Sequence, residues 1–275
     1  MTYFDLGTYS RKISTTSPEA QLWFDRGLNW VFGFNHAEAI KCFRKALQQD
    51  PECAMAWWGV SYASGPNYNL PWNRYDRHGR QVALSASHDA MLEALARAEK
   101  ASPVEQMMIR ALPARYPQRE AIEDMAPWDK AYTKEMRKIF GAFPDDLDVR
   151  AVFAESIMNE TPWLMWDLPS GKAAEGAGTE ECRATLEAAF ETVAAAWDHP
   201  GLLHLYVHLM EMSPFPERAL RAGDRLREIV PDSGHLIHMP THLDVLCGHY
   251  HDVLIYNQKA LVTDRRFLAL SLIHI

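Results

Sequence analysis

Six residues between positions 204 and 242 have types and spacings that chemistry can use. His204, His208 and Glu211 stand at i, i+4 and i+7, so on a helix they share one face. His235, His238 and His242 stand at i, i+3 and i+7 and share a face in the same way. His204 and His238 are 34 residues apart, and so are His208 and His242. An interval of that length is a structural repeat length, and it sets the two histidine-bearing faces in register.

Imidazole is a good ligand for zinc, copper, iron and nickel, and a histidine pair at i, i+4 is a standard way for a helix to supply two ligands. Three or four of the five imidazoles could hold one divalent transition-metal ion, whose identity the spacing does not select. His204, His208, His238 and His242 are the leading metal ligands, with His235 as a fifth, and Glu211 is the acid/base candidate or a further ligand. An ion on three imidazoles with one open position would bring the pKa of a bound water to about 7, and Glu211 would then relay the proton. A redox metal on the same ligands would suit oxygen chemistry instead. Two blander readings stand beside this one: a polar ligand pocket without metal, and hydrogen-bonded packing, which is the usual role of a lone helical histidine.

Other residues carry weaker signals. His36 and Glu38, at the turn Asn35-His36-Ala37-Glu38, are secondary pocket candidates, although an Asn-led helix entry with Glu in the first turn is ordinary capping. Asn67, Tyr68 and Asn69 lie in a turn-rich stretch where polar side chains could cover a groove, but turn formation is the simpler role. Most of the nine tryptophans should be packing residues. Asp145-Asp146-x-Asp148 looks like a cation loop, yet acidic residues before a helix favour its dipole and read as a cap. His249 and His251 flank a turn and are expected in solvent. The sequence has no Gly-rich phosphate loop, nucleophile elbow or Cys/His dyad.

Composition narrows the function classes. A net charge of -8 argues against a nucleic-acid partner and gives no reason to expect an anionic membrane surface. The first sixteen residues lack the pattern of a signal peptide, and no apolar run is long enough to span a bilayer. Cys42, Cys53, Cys182 and Cys247 are scattered and form neither a disulfide framework nor a cysteine-based zinc site. Cytoplasm is the default location.

The elements that must position the histidines read as helix pairs. Trp23, Gly27, Ala39, Phe43, Ala46 and Pro51 carry an aromatic and a small residue in a first helix, then A-x3-F-x2-A-x4-P in a second. Small residues let paired helices approach closely, and the proline ends the second helix. The second-helix spacing recurs at Met91, Leu95, Ala98 and Pro103, at Tyr132, Met136, Ile139 and Pro144, and at Ala219, Gly223, Leu226 and Pro231. Gly223 stands where a larger residue is usual. Val253, Asn257 and Ala260 continue the register, with Arg265 in the proline place. Six pairs follow, at roughly 20–53, 54–103, 104–145, 146–199, 200–233 and 234–267. Insertions are expected at 65–79, 117–127 and 161–178, and Ser102-Pro103-x-Glu105 reads as a capping box.

This pattern resembles the tetratricopeptide repeat (TPR) family. The strings FNHAEAIKCF, CAMAWWG, GPNYN, LHLYVHLMEMSP and GHLIHMPTH are similar to a group of bacterial and fungal members of that family, up to about Arg266. The resemblance implies an all-α, right-handed TPR-like solenoid of about six helix pairs with loop insertions: a lead-in at 1–19, the solenoid at 20–267 and an apolar tail at 268–275. The tail lacks the polar face of a terminal helix, so it is expected to be truncated or non-native, and His274 is given no role. The resemblance also implies that His204, His208, Glu211, His235, His238 and His242 face the concave groove where ligands bind. The expected function is a metal-dependent enzyme, a hydrolase or oxidoreductase, acting on a small molecule or short peptide in that groove. The alternative is a non-catalytic scaffold for a peptide or protein partner. No nucleic-acid or membrane partner is expected.

Overall fold

Helix signals in the chain appear as helices almost everywhere they were expected. A computed structural model describes residues 3–273, so His274 lies outside the described residues. The described chain is all-helical apart from one two-stranded hairpin. Each of the six spans holds its helices. The first holds α1 (Pro18–Phe32) and α2 (His36–Gln49), the second α3 (Ala54–Ser64) and α4 (Arg77–Arg97), and the third α5 (Pro103–Arg115) and α6 (Ala126–Ala142). Then come α7 (Leu147–Glu160) and α8 (Thr179–Thr192), α9 (Pro200–Met210) and α10 (Leu220–Ile229), and finally α11 (Gly234–His238), α12 (Pro240–Cys247) and α13 (Tyr250–Ile273). The third insertion folds into β1 (Trp166–Asp167) and β2 (Lys172–Ala173), paired antiparallel.

Contacts divide the chain into two compact units, Ser10–Leu164 and Met1–Tyr9 with Met165–Ile275. The fourth predicted pair is thereby split, with α7 packing on α6 in one unit and α8 on α9 in the other.

In the Ser10–Leu164 unit the capping chemistry is local. Ser17 Oγ accepts from Ala20 N–H at 3.2 Å and Asn35 Oδ1 from Glu38 N–H at 3.2 Å, opening α1 and α2. Glu105 accepts from Ser102 N–H at 2.8 Å to close the capping box of α5. The acidic run before α7 is a cap: Asp146 Oδ1 accepts from Val149 N–H at 2.9 Å, and the buried Arg11 guanidinium reaches Asp146 and Asp148, each at 2.7 Å. Phe43 is fully buried where α1, α2 and α3 meet. A Cβ added at Gly27 or at Gly59 would lie 2.6 Å from its ring. The small residues of the repeat signature thus serve close helix approach.

The other unit is built around α9, which is buried at every residue. A helix buried on every side must be surrounded by its neighbours, and α9 packs against α8 and α10. Trp166 of β1 donates its Nε1–H to Leu209 O at 2.7 Å, so the insertion pins the last turn of α9. Tyr206 Oη donates to Glu187 of α8 at 2.9 Å. On the other flank, a Cβ at Gly223 of α10 would lie 2.9 Å from Pro240 Cβ, which explains why a glycine replaces the usual larger residue there. The buried Arg227 of α10 binds Asp244 of α12 at 3.1 Å and covers the Tyr256 ring of α13 at 3.9 Å. Gly234 of α11 lies against Asp264 of α13, where any side chain would collide. Among the described residues no helix is long and apolar enough to cross a membrane, and none of the four cysteines is in a disulfide.

Candidate metal centre

Three short helices carry the six singled-out residues. His204 and His208 lie on α9 and Glu211 caps its C-terminus, while His235 and His238 lie on α11 and His242 on α12. The start of α9 is set by His199, whose Nδ1 accepts from Leu202 N–H at 3.1 Å, and by Pro200, which has no N–H to satisfy. One continuous helix over residues 235–242 is not what forms. Pro240 lacks the N–H that would bridge the turn, so α11 stops and α12 begins, with Met239 between them still in helical conformation. The three imidazoles keep a common side because the direction of the chain is preserved through Met239.

The histidines meet in two sets. His204 Nε2 and His235 Nε2 are 3.1 Å apart, and ligand nitrogens of His204, His208 and His235 all lie within 4.8 Å of one another. Such a group could hold a metal ion. The second set is His238 and His242, with Nε2 to Nε2 at 3.1 Å. Two ligands ~2.05 Å from a tetrahedral ion are themselves about 3.3 Å apart, so both contacts are near the spacing that a shared ion requires. The 34-residue interval pointed to His204 beside His238, whereas the structure places His204 against His235 and joins His208 to His242 through Glu211.

Glu211 is the link between the sets. Its Oε1 lies 2.8 Å from His208 Nδ1 and its Oε2 lies 2.5 Å from His242 Nδ1. Burial alone would raise the Glu211 pKa, but the hydrogen bonds from His208 and His242 outweigh it and hold the carboxyl at about 2. An ionised carboxylate only accepts, so both Nδ1 atoms carry the hydrogen. His238 is anchored the same way. Asn257 of α13 donates its amide to Val253 O at 2.8 Å and Thr241 Oγ1 at 3.2 Å, which turns its Oδ1 toward His238 Nδ1 at 2.6 Å.

His238 and His242 therefore direct a proton outward, to Asn257 and Glu211. In their neutral forms each leaves an Nε2 lone pair facing the other at 3.1 Å. Two lone pairs at that distance repel unless a cation joins them, either a proton or a metal ion. The hydrogen bond to Glu211 raises the pKa of His242 despite its partial burial. Elsewhere burial dominates: it lowers His208, with Glu211 opposing, and together with His208, His238 and His242 it lowers His235 to about 3. Neutral imidazole is the metal-binding form. His204 and His208 are fully buried, while the His242 side chain is 38% exposed and is the solvent side of the cluster.

The secondary candidates lie in the Ser10–Leu164 unit, away from these residues in the chain. The ring nitrogens of His36 are buried, and burial with the nearby Arg115 charge lowers its pKa to about 4. Glu38 pairs with Lys41 at 3.0 Å. Asn67 Oδ1 accepts from Asn69 N–H and Leu70 N–H at 3.0 and 2.9 Å, which is turn formation. Tyr68 is buried and stacks on Trp163 at 5.1 Å. Asn69 Oδ1 is buried in the same turn.

Asn257 was not foreseen as part of the site. Sequence placed it in a packing register, at the place Phe43 takes in the first pair, and a polar residue there was the available signal. Asp244, His249 and Asp252 also lie close enough to hold an ion, but Asp244 is already neutralised by Arg227. Comparison with protein-family models and with curated proteins finds no match to this chain.

Proposed function

We propose that the chain is a TPR-like helical-repeat protein whose α9, α11 and α12 histidines hold one divalent transition-metal ion, and that it acts as a metal-dependent hydrolase or oxidoreductase on a small molecule or short peptide. His204, His208 and His235 supply the three-imidazole set, and His238 and His242 form the solvent-side pair. The observation that carries the reading is the His238–His242 contact, two Nε2 atoms at 3.1 Å whose outer nitrogens are anchored to Asn257 and Glu211. Hydrogen-bonding the far nitrogen is how metal-ligating imidazoles are oriented, and two anchors on one facing pair are hard to account for by packing alone.

A bound zinc-type ion would supply an acidified water near neutral pH, and a redox ion would supply oxygen chemistry. The role of Glu211 shifts from that expected of a free acid/base. With both oxygens accepting from imidazole Nδ1–H groups, it orients His208 and His242 and leaves Nε2 as the nitrogen each can offer to an ion. A proton leaving the site has its most exposed acceptor in His242.

A scaffold that binds a protein or peptide partner is the second reading, favoured by the exposed Leu254, Leu261, Val262 and Leu268 on α13. Cobalt(II) titration of tag-free protein separates the two. The metal reading expects saturable binding with the visible absorption of low-coordinate, imidazole-bound cobalt, abolished in His204→Ala/His235→Ala. Absence of any such spectrum in the unsubstituted chain would leave only the scaffold.

A further inference from the structure

The Ser10–Leu164 unit contains a cavity of about 210 Å³, bounded by α6, α7 and the loops that follow α3 and α5. Its wall carries four carboxylates, Glu123, Asp124, Asp129 and Glu160, against one guanidinium, Arg80. Arg80 Nη1 is turned to the carbonyls of Ile122 and Glu123, at 3.5 and 3.3 Å. An acidic cluster alone is a common surface feature, but two further atoms set this one apart. Asn159 and Trp72 line the same space with side chains only 8% and 5% exposed, and Asn159 Oδ1 and Trp72 Nε1 make no hydrogen bond among the described residues. Leaving a buried amide oxygen and an indole N–H without partners is costly. The Asn159 amide group is oriented through Glu155, which leaves the oxygen for an occupant of the cavity.

These atoms specify a chemistry. The carboxylates call for a cation and Asn159 Oδ1 for a donor, while Trp72 Nε1–H calls for an oxygen acceptor. A hard metal ion would take the oxygens directly but would meet the N–H donor only through a bound water. An anion would meet four carboxylates. We propose that this cavity binds a small primary amine in its ammonium form that also carries a hydroxyl, with the ammonium at Asp129, Glu160 and Asn159 Oδ1 and the hydroxyl oxygen accepting from Trp72 Nε1. Burial, opposed by Arg115 and reinforced by Glu160 and Asp124, raises Asp129 to about 7, so an arriving ammonium would favour its ionised form.

The test is calorimetric titration of the full chain at pH 7.5 with ethanolamine, ethylamine, propionate and calcium chloride as probes. Ethanolamine is expected to bind saturably, ethylamine at least severalfold more weakly, and propionate and calcium not at all. Asp129→Asn should weaken ethanolamine at least tenfold at unchanged helicity. Trp72→Phe keeps a ring in place and removes the N–H, so it should bring ethanolamine down to the affinity of ethylamine. Absence of ethanolamine binding to the unsubstituted chain overturns the proposal. So does calcium binding in its place, or ethanolamine affinity unchanged in both variants.

Discussion

Replacing Glu211 by Gln is the most informative single perturbation of the histidine cluster. Both carboxylate oxygens accept from an imidazole Nδ1–H, at 2.8 Å from His208 and 2.5 Å from His242. Glutamine keeps one oxygen but puts an NH2 donor where the other stood, and that donor meets an N–H. One of the two rings must rotate or take the other tautomer, which moves its lone pair away from the cluster. Loss of such an outer anchor typically lowers metal affinity 10–100-fold, or about 1.4–2.8 kcal/mol. The assay is a competition titration of zinc against a chromophoric chelator, with helicity followed by circular dichroism. Glu211→Gln is expected to weaken zinc by that factor while the helices persist. Zinc affinity equal to that of the unsubstituted chain would refute the assignment of Glu211 as the orienting carboxylate.

Three further outcomes follow from the packing and the charges. Gly59→Val should lower stability by about 1–3 kcal/mol, read by urea unfolding, because its Cβ would lie 2.6 Å from the Phe43 ring; unchanged stability would show that the helices can separate freely. Arg227→Leu should cost about 3–5 kcal/mol, since it leaves Asp244 buried and uncompensated, and a second Asp244→Leu substitution should recover part of the loss in the same assay. Burial and the Arg115 charge hold His36 at about 4, so the folded chain excludes a proton that the unfolded chain takes up below ~6.5. Stability is therefore fully present above that pH and falls on acidification toward pH 4, by about 3 kcal/mol. His36→Gln should flatten that part of the pH–stability curve, and an unaltered curve would mean the His36 ring is solvated.

Much of the helix framework was legible because it depends on local chemistry. Asn35 and Ser102 cap helices where capping residues were read, and Gly27 approaches Phe43 as the small-to-large alternation required. The histidine faces were legible for the same reason, since i, i+4 and i+7 spacing fixes a face whatever surrounds it. Which histidine meets which was not legible. A 34-residue interval aligns residues one repeat apart, but the structure sets His204 against His235, three positions before His238, and spacing along the chain does not encode how two separate helices meet. Asn257 reaches His238 from another helix, 19 positions along the chain, and no periodicity within α11 or α12 encodes that contact. The split between α7 and α8 was hidden because no spacing within either helix names the neighbour it packs on.

Elemental analysis of the chain purified without an affinity tag, beside His204→Ala/His238→Ala, tests the central claim most directly, because the double variant removes one imidazole from each set. The account predicts about one zinc, copper, iron or nickel ion per chain, absent from the variant while its helicity is retained. No stoichiometric metal in the unsubstituted chain, even after incubation with each ion in turn, would contradict it.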